Sequence, residues 1–191
     1  MKEAEEFCPK NKEEWRNWLK KNHVDKNAVW LIFYRKTSPK YNLSWSESVD
    51  ESLCFGWIDS TKKTIDNEKY KQYFTKRKAK SNWSKVNKEK IQKLIDNGLM
   101  AEAGLASIKI AKENGSWAFL DAIENLEIPN DLLLEFSKNK RTLEYFESLS
   151  KSDKKSILYR VISAKGEKTR QKRILEIVEN ALQKNKPKQF R

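Results

Sequence analysis

The chain has 191 residues and a formal net charge of +13, with 38% hydrophobic and 35% charged residues. This length can form one domain or two small ones, and the composition is that of a soluble protein with a modest core. No apolar run approaches the roughly 20 residues needed to span a bilayer, and the polar start has no signal-peptide core. The sequence therefore predicts a cytoplasmic protein without a membrane span.

The residue types that metal sites and cofactor loops require are scarce. His23 is the one histidine, and Cys8 and Cys54 lie far apart in sequence, whereas zinc sites use three or four such ligands, usually in close pairs. No glycine-rich phosphate loop occurs. We therefore predict no metal and no cofactor. Since His23 falls in a polar loop and Cys54 among core residues, the sequence contains no catalytic constellation.

The positive charge is concentrated in two zones. Residues 60–93 carry twelve basic residues against three acidic ones, and residues 151–191 carry thirteen against four. Two basic zones on a mildly acidic remainder are compatible with binding to nucleic acid. The same lysines also fit a solvated surface, because they are spread among helix-compatible positions and form no blocks.

The first elements are a short helix and a strand. Asn11 is a suitable N-cap, and Trp15, Trp18 and Leu19 follow at the spacing of one helix face. The apolar run of residues 28–34 is rich in aromatic and β-branched side chains, and we interpret it as a central strand covered on both faces.

A second helix and a hairpin follow. The S-x-x-E sequence at Ser44 is a capping box, and Gly56 fits the left-handed residue that ends a helix. Alternating patterns over residues 57–65 and 70–75, joined by a polar turn, predict an antiparallel hairpin.

Beyond Arg77 the pattern is helical to the end of the chain. Ser84 and Gly98 mark the start and end of one helix, and further helices are predicted over residues 101–114 and 117–126. The fold class is therefore α+β, a small N-terminal unit with an antiparallel sheet and helices followed by an all-helical C-terminal domain. We expect the division to be an N-terminal unit at 1–98, a helical connection at 99–128 and a helical domain at 129–191.

The stretch around the hairpin holds the candidate ligand site. Aromatic rings interleaved with a carboxylate, cations and hydroxyls can line a pocket for a small polar or anionic ligand, in which Arg77 would clamp the anion. The same residues also suit structural anchors, ion pairs and a helix cap. The candidates are Trp57, Asp59, Lys62, Tyr73, Arg77, Ser81, Trp83 and Ser84.

A second cluster lies near the C-terminus. Lys165, Thr169 and Arg173 recur at i+4 steps, and Arg170 lies three residues before Arg173. If these residues share a helix, this face is a candidate anion site. It is equally suited to binding acidic side chains of the N-terminal unit.

A series of short motifs runs in order from about residue 15 to 185. They are Trp15-x-x-Trp18-Leu19, Val29-Trp30-Leu31, Cys54-Phe55-Gly56-Trp57-Ile58-Asp59, Arg77 with Ser81-x-Trp83-Ser84-x-x-Asn87, Leu94-Ile95-x-x-Gly98-x-Met100, Gly104-Leu105, Ala111-Lys112-x-x-Gly115-x-Trp117, Phe146-x-x-Leu149-Ser150, and Ala164-Lys165-x-x-x-Thr169-Arg170-x-x-Arg173-Ile174. Jointly they resemble bacterial YdeI/OmpD-associated proteins, also labelled bacteriocin-protection proteins, with an OmdA-type helical C-terminal part. The family has Thr-Pro-Arg where this chain has Thr75-Lys76-Arg77.

The resemblance implies an α+β unit followed by a helical domain, and a role in envelope stress and protection against bacteriocins. It implies no reaction. Three hypotheses follow: a non-enzymatic stress-protection protein that binds a small polar ligand or a protein partner, a nucleic-acid-binding protein that uses the basic zones, and an enzyme with Asp59 as acid or base and Tyr73 or Arg77 stabilising charge.

Overall fold

The structure, a computed structural model, describes residues 4–185. The chain divides into two compact units, Met1–Ala118 and Phe119–Arg191, which we call the sheet unit and the helical unit. The three-part division expected from the sequence stays a prediction. Within the part of the chain that the structure describes, no helix combines the length and the apolar character needed to cross a membrane.

From residue 4 onward the sheet unit contains four strands and four helices, which confirms the predicted α+β class and the helix–strand–helix–hairpin order. The two-residue strand β1 was not predicted. In chain order the elements are β1 (Glu6–Phe7), α1 (Lys12–Asn22), β2 (Ala28–Tyr34), α2 (Trp45–Cys54), β3 (Trp57–Thr64), β4 (Lys69–Lys76), α3 (Lys85–Asp96) and α4 (Glu102–Glu113).

Local capping chemistry sets the helix boundaries in this unit. The Ser44 side chain accepts from the Glu47 N–H while the Glu47 carboxylate accepts from the Ser44 N–H, so the predicted capping box is confirmed. Asn11 and Ser84 cap α1 and α3 in the predicted manner. Gly56 follows α2 with φ +72°, the left-handed conformation that glycine adopts without a Cβ clash.

The strands are ordered β1-β2-β4-β3, with β1 parallel to β2 and the other pairs antiparallel. The prediction that β2 is central is confirmed, but the prediction that it is covered on both faces is wrong. Its residues alternate between buried and half-buried. Val29, Leu31 and Phe33 point into the core, whereas Trp30 lies on the outer face beside Tyr73.

The core of the sheet unit lies between the sheet and the helices. Trp15 and Leu19 of α1 join Val49 and Leu53 of α2 against the inner sheet face, and Trp83 extends the same cluster. The Trp15 indole donates to the Ser48 carbonyl at 3.1 Å, which satisfies its N–H inside the core. The inner face of the sheet is therefore fixed by large aromatic side chains.

The helical unit has its own core. The described helices are α5 (Asp121–Glu124), α6 (Asn130–Ser137), α7 (Lys140–Ser148), α8 (Lys151–Ile162) and α9 (Glu167–Leu182). Leu132 and Phe136 of α6 pack with Phe146, Leu158 and Ile174 from the following helices. The all-helical character predicted for the C-terminal part is confirmed.

One predicted helix is shorter than expected. In place of a helix over residues 117–126, only Asp121–Glu124 is helical. Gly115 adopts φ +79°, and the Trp117 N–H donates to the Ala111 carbonyl, which closes the end of α4. Leu126, which follows the C-cap residue Asn125, adopts φ +60° and stops the continuation of α5.

Candidate ligand site

A β-bulge shapes the surface between β3 and α2. In β3, Asp59 is paired with Phe74, but the next pair on that face joins Lys62 to Gln72. The step from Asp59 to Lys62 covers three residues of β3, whereas the step from Phe74 to Gln72 covers two residues of β4. The additional residue in β3 is a β-bulge. Without it, strand alternation would place Lys62 on the opposite face from Asp59. The bulge brings both charged side chains to the face where Gln72 lies.

Asp59 is held by two neutral donors. Its Oδ2 atom accepts from Trp45 Nε1 and from Gln72 Nε2, each at 2.9 Å. Gln72 also donates to the Ser60 carbonyl at 3.0 Å, so its amide is fixed on both sides of the bulge. Within residues 4–185, Asp59 forms no ion pair, and its Oδ1 atom accepts no hydrogen bond. One oxygen of a half-buried carboxylate therefore remains available to a ligand.

Trp45 and Tyr70 form the walls of this site. Trp45 is the first residue of α2 and is 47% exposed. Tyr70 stacks on Phe33 with ring centroids 5.0 Å apart, and Lys62 Nζ lies 4.1 Å from the Tyr70 ring centroid. Burial raises the pKa of the Tyr70 hydroxyl, with a further increase from Tyr41, so the hydroxyl stays protonated at neutral pH.

These side chains enclose a surface pocket of about 390 Å³, lined by Trp45, Asp59, Lys62, Tyr70 and Gln72. We call it the Asp59 pocket. It offers two aromatic surfaces, a carboxylate oxygen and an ammonium group. Its size falls in the range of sites for small molecules, and its polar groups suit a ligand with hydrogen-bond donors next to an apolar face.

Two of the predicted site residues, Asp59 and Lys62, line this pocket. Trp57 is fully buried in the core instead, with its ring 5.7 Å from that of Trp18. Tyr73 lies on the outer face of the sheet, with its ring 4.8 Å from that of Trp30. The strand register causes this placement, because Phe74, the neighbour of Tyr73, pairs with Asp59 on the inner face.

Arg77 serves the packing of the segment that follows β4. Its guanidinium lies 3.6 Å from the Trp83 ring centroid, and Nη2 donates to the Asn82 carbonyl at 2.7 Å. Burial lowers the pKa of Arg77 to about 10, against the opposing attraction of the Asp59 carboxylate. Arg77 makes no ion pair with Asp59 among the described residues. The structure therefore does not bring Asp59, Tyr73 and Arg77 into one cleft.

The remaining residues of the predicted hairpin cluster have local structural contacts. The Ser81 N–H donates to the Lys78 carbonyl at 2.9 Å, and the Ser84 side chain caps α3. The Lys76 N–H, which a proline at that position would lack, donates to the Asn27 carbonyl at 3.3 Å. The departure from the family's Thr-Pro-Arg pattern thus adds a hydrogen bond at the end of β4.

Sequence reasoning missed three residues of the pocket, namely Trp45, Tyr70 and Gln72. Trp45 belongs to the helix predicted after the capping box at Ser44 and was not among the candidate ligand residues, but its exposed indole reaches Asp59. Tyr70 and Gln72 were recognised only as alternating strand residues. A clue was present in that alternation, because Gln72 is a polar residue on the apolar face of the strand and burial requires a hydrogen-bond partner for it.

The outer sheet face combines lysines with aromatic rings. Lys63 Nζ and Lys71 Nζ lie 5.1 and 5.0 Å from the Trp30 ring centroid, and Lys71 also pairs with Glu6. Single-stranded nucleic acids are bound by cations beside aromatic stacking surfaces. This face belongs to the first basic zone of the sequence, and nucleic-acid binding stays a prediction.

The four residues of the C-terminal cluster do not share one surface role. Arg170 is bound to Asp131, with Nε 2.5 Å from Oδ2 and Nη2 2.9 Å from Oδ1. Arg173 Nη1 donates to the Arg160 carbonyl at 2.6 Å. Lys165 precedes α9, and Lys165 and Thr169 are both exposed. Arg170 therefore pairs with an acidic residue of its own unit.

The predicted core role of Cys54 agrees with its surroundings, since it is fully buried and burial raises the pKa of its thiol. His23 lies after α1, where Nδ1 is 2.9 Å from the Leu19 carbonyl oxygen. Across residues 4–185, no group of three or more His, Cys, Asp and Glu side chains is arranged to hold a metal ion.

Two family models match the chain. Residues 7–107 match a model described as a domain of unknown function, DUF8412. Residues 125–184 match OmdA, described as bacteriocin-protection, YdeI or OmpD-associated. The second match lies within the helical unit and confirms the resemblance noted from the sequence motifs. Comparison with curated proteins found no match, and comparison with solved structures found none either.

Proposed function

We propose a function for a chain that belongs to the DUF8412 family over residues 7–107 and carries an OmdA domain at residues 125–184. The OmdA match indicates a function associated with bacteriocin protection. In our proposal the protein acts in the cytoplasm without catalysing a reaction, and it contributes to protection by binding a small polar ligand in the Asp59 pocket.

The free oxygen of Asp59 is the observation that carries this proposal. A carboxylate that is partly removed from water normally acquires a cationic partner or a full set of hydrogen bonds. Among residues 4–185, Asp59 forms no salt bridge, although the Arg77 charge attracts it, and only Oδ2 accepts hydrogen bonds, from Trp45 and Gln72. A ligand that donates a hydrogen bond to Oδ1 would complete the hydrogen bonds of the carboxylate. The two donors on Oδ2 hold the carboxylate in a fixed orientation for that ligand.

The residues that line the pocket restrict which kinds of ligand can bind. Trp45 exposes 47% of its surface, more than a core anchor would, and its indole N–H is already bound to Asp59. Its ring is therefore available for stacking or for contact with C–H groups. Lys62 Nζ lies near the Tyr70 ring and supplies a cation at the edge of the site. A compact ligand with hydroxyl or amide donors and one flat or apolar face fits this combination.

The placement of the other predicted groups supports binding over catalysis. The enzyme hypothesis drawn from the sequence required Tyr73 or Arg77 to act with Asp59 on the same substrate atoms. Tyr73 lies on the opposite sheet face, and Arg77 is packed on the Trp83 ring. In our proposal the Asp59 carboxylate therefore accepts a hydrogen bond from a bound ligand.

A screen of small polar compounds by thermal unfolding of the full chain tests the proposal. Compounds that bind the pocket should raise the melting temperature, because a ligand stabilises the folded state in proportion to its binding. For each such compound, Asp59→Asn and Trp45→Ala should weaken affinity at least about tenfold, since a hydrogen bond to a charged group and a stacking surface are lost. Tryptophan fluorescence gives a second reading, because Trp45 lines the site.

Asp25→Asn is the matched control. Asp25 is exposed in the loop before β2, so the substitution removes the same charge without touching the pocket. It should leave affinity unchanged. If no compound stabilises the chain, and if cells carrying Asp59→Asn survive bacteriocin treatment as well as wild type, the Asp59 pocket has no role in protection.

A further inference from the structure

A second cavity lies within the helical unit, among α5, α8 and α9. Its volume is about 520 Å³, which suits a small organic ligand. Ile123 and Tyr159 supply apolar surface, while Ser156, Ser163, Lys155 and Arg173 supply polar groups. We call it the Arg173 cavity.

The cations around this cavity are not equally neutralised. Lys155 pairs with Glu124, and Arg160 pairs with Glu176 across the α8–α9 contact. Arg173, in contrast, forms no ion pair with any residue between 4 and 185. Glu124, which lines the cavity, and Glu176 are therefore each bound by another cation, and Arg173 has no counter-ion among residues 4–185.

The contacts of Arg173 hold its guanidinium without using all its donors. Nη1 donates to the Arg160 carbonyl at 2.6 Å and to Ser163 Oγ at 3.3 Å, both neutral acceptors. Nε and Nη2 make no hydrogen bond to the described part of the chain. Those two nitrogens form the planar fork with which arginine grips carboxylate or phosphate oxygens.

Arg170, one helical turn earlier on α9, shows how such a fork is satisfied in this protein. Its Nε and Nη2 atoms contact the two Asp131 oxygens at 2.5 and 2.9 Å. Arg173 has the same donors but no such carboxylate. An anion placed on Nε and Nη2 of Arg173 would complete the arrangement that Asp131 completes for Arg170.

We propose that the Arg173 cavity binds a small organic anion, a carboxylate or a phosphate ester with an apolar or aromatic body. Arg173 clamps the anionic oxygens, and the Ser156 and Tyr159 hydroxyls can donate further hydrogen bonds. The body of the ligand contacts Ile123 and the Tyr159 ring, which is 44% exposed. Apart from Ile123 and Glu124, the lining residues lie in the OmdA-matched region, and the proposal does not rest on the Asp59 pocket.

Isothermal titration calorimetry of the full chain tests this with three probes of similar shape: phenyl phosphate, benzoate and phenol. We expect saturable binding of phenyl phosphate or benzoate, and at least about tenfold weaker binding of phenol, because phenol keeps the ring but lacks the anion. The stronger of the two anions distinguishes a phosphate ligand from a carboxylate ligand.

Matched arginine substitutions locate the binding. Arg173→Gln should weaken the preferred anion at least about tenfold, and Arg173→Lys should also weaken it, because lysine keeps the charge but not the fork. Arg141→Gln removes the same charge at an exposed position of α7 and should bind as wild type does. Equal loss in Arg141→Gln would show that net charge, and not this cavity, attracts the anion, and would overturn the proposal.

The proposal is also overturned if Arg173→Gln binds the anion as tightly as wild type does. It is overturned as well if wild type shows no saturable binding of either anion. If Arg173→Gln does not fold by circular dichroism, amide chemical shifts of the wild-type chain decide the question. Phenyl phosphate or benzoate should then shift the amides of Ser156, Tyr159 and Ser163. Shifts confined to other parts of the chain would contradict the assignment.

Discussion

The sheet unit and the helical unit hold their buried and half-buried charges differently. In the sheet unit, Glu51 is only 2% exposed and is bound by Arg16 at 2.5 Å and Lys12 at 3.3 Å. In the helical unit, the Asp131 side chain is 37% exposed and is bound by Arg170. The ion pair compared in the sheet unit therefore contains a buried carboxylate, whereas the one in the helical unit lies at the surface. The two pairs should contribute unequally to stability although their geometry is similar.

The same comparison applies to the two candidate sites. At the Asp59 pocket, the group with an unused hydrogen-bonding atom is a carboxylate, Asp59, whose contacts are neutral donors. At the Arg173 cavity, the corresponding group is a guanidinium, Arg173, whose contacts are neutral acceptors. A chain with a net charge of +13 thus offers ligands a carboxylate in one unit and an arginine in the other. We therefore expect binding chemistry to follow the charges that have no ion pair among residues 4–185, and not the net charge.

The two units can be followed by different signals. All seven tryptophans lie in Met1–Ala118, so tryptophan fluorescence reports on the sheet unit. Far-ultraviolet circular dichroism reports on helices of both units. A substitution in one unit that shifts both transitions equally would show that the units unfold together, and the comparison between them would lose its basis.

The largest effect is expected from Gly104→Ala in α4. A Cβ atom at this position would lie 2.2 Å from the Cys54 carbonyl oxygen and 2.8 Å from its carbon. Alanine in an ordinary helix would stabilise by about 1 kcal/mol, but here α2 and α4 would have to separate. We expect a loss of about 3 kcal/mol, the upper end of the usual cost of overpacking, measured as a lower urea midpoint by tryptophan fluorescence.

Gly166→Ala provides the contrast in the helical unit. Gly166 precedes α9 at φ −133°, and a Cβ atom there would meet nothing within 4 Å. We expect a change of less than about 1 kcal/mol, because only a helix N-cap position is altered. If Gly104→Ala and Gly166→Ala lowered the free energy of unfolding equally, this result would contradict the close approach of α4 to Cys54.

Glu51→Gln should have the next largest effect. The substitution keeps the shape but removes the charge that faces Arg16 and Lys12. Breaking a fully buried pair costs about 3–5 kcal/mol, and the partial exposure of both cations lowers our expectation to about 2–3 kcal/mol. Urea unfolding followed by tryptophan fluorescence measures the loss.

Asp50→Asn is the control for Glu51→Gln. Asp50 is the preceding residue, pairs with Lys90 at 2.5 Å and has a side chain that is 31% exposed. Because water screens this pair, its loss should cost less than about 1 kcal/mol. If Asp50→Asn lowers the free energy of unfolding as much as Glu51→Gln does, burial does not determine how much each carboxylate contributes to stability.

Local sequence signals predicted the elements of the sheet unit well, because each is decided by neighbouring residues. The capping box at Ser44, the strand at residues 28–34 and the left-handed Gly56 are all confirmed. The Asp59 pocket was only half predictable. Asp59 and Lys62 were identified from residue type, but the bulge that puts them on one face depends on the pairing of β3 with β4.

The predictions for the residues that lie outside the pocket are wrong for a related reason. Tyr73 and Arg77 have the chemistry of a site, but strand register directs the first to the outer face and packing on Trp83 holds the second. In the helical unit, helix periodicity grouped Arg170 with Arg173. The carboxylate at Asp131 that separates their roles lies 39 residues away from Arg170 in sequence. Such long-range pairings are not encoded in local spacing.

The smallest effect, and the one that depends on pH, is expected from Asp131→Asn. Hydrogen bonds from Arg170 hold the pKa of the Asp131 carboxyl below its usual range, and the Leu132 N–H contributes. A lowered folded-state pKa stabilises the protein above the unfolded pKa of about 3.9 and loses that contribution as pH falls through the folded value. At pH 7 we expect Asp131→Asn to cost less than about 1 kcal/mol, since the pair is partly exposed and water screens it.

Urea midpoints by circular dichroism for wild type and Asp131→Asn at several pH values between 7 and 2 measure this contribution. The difference between the two proteins should be constant from pH 7 to about pH 5 and shrink below about pH 4. A difference that grows on acidification would contradict the direction of the pKa change. A cost at pH 7 as large as that of Glu51→Gln would mean that exposure does not weaken the surface pair, and that the helical unit relies on its charges as strongly as the sheet unit does.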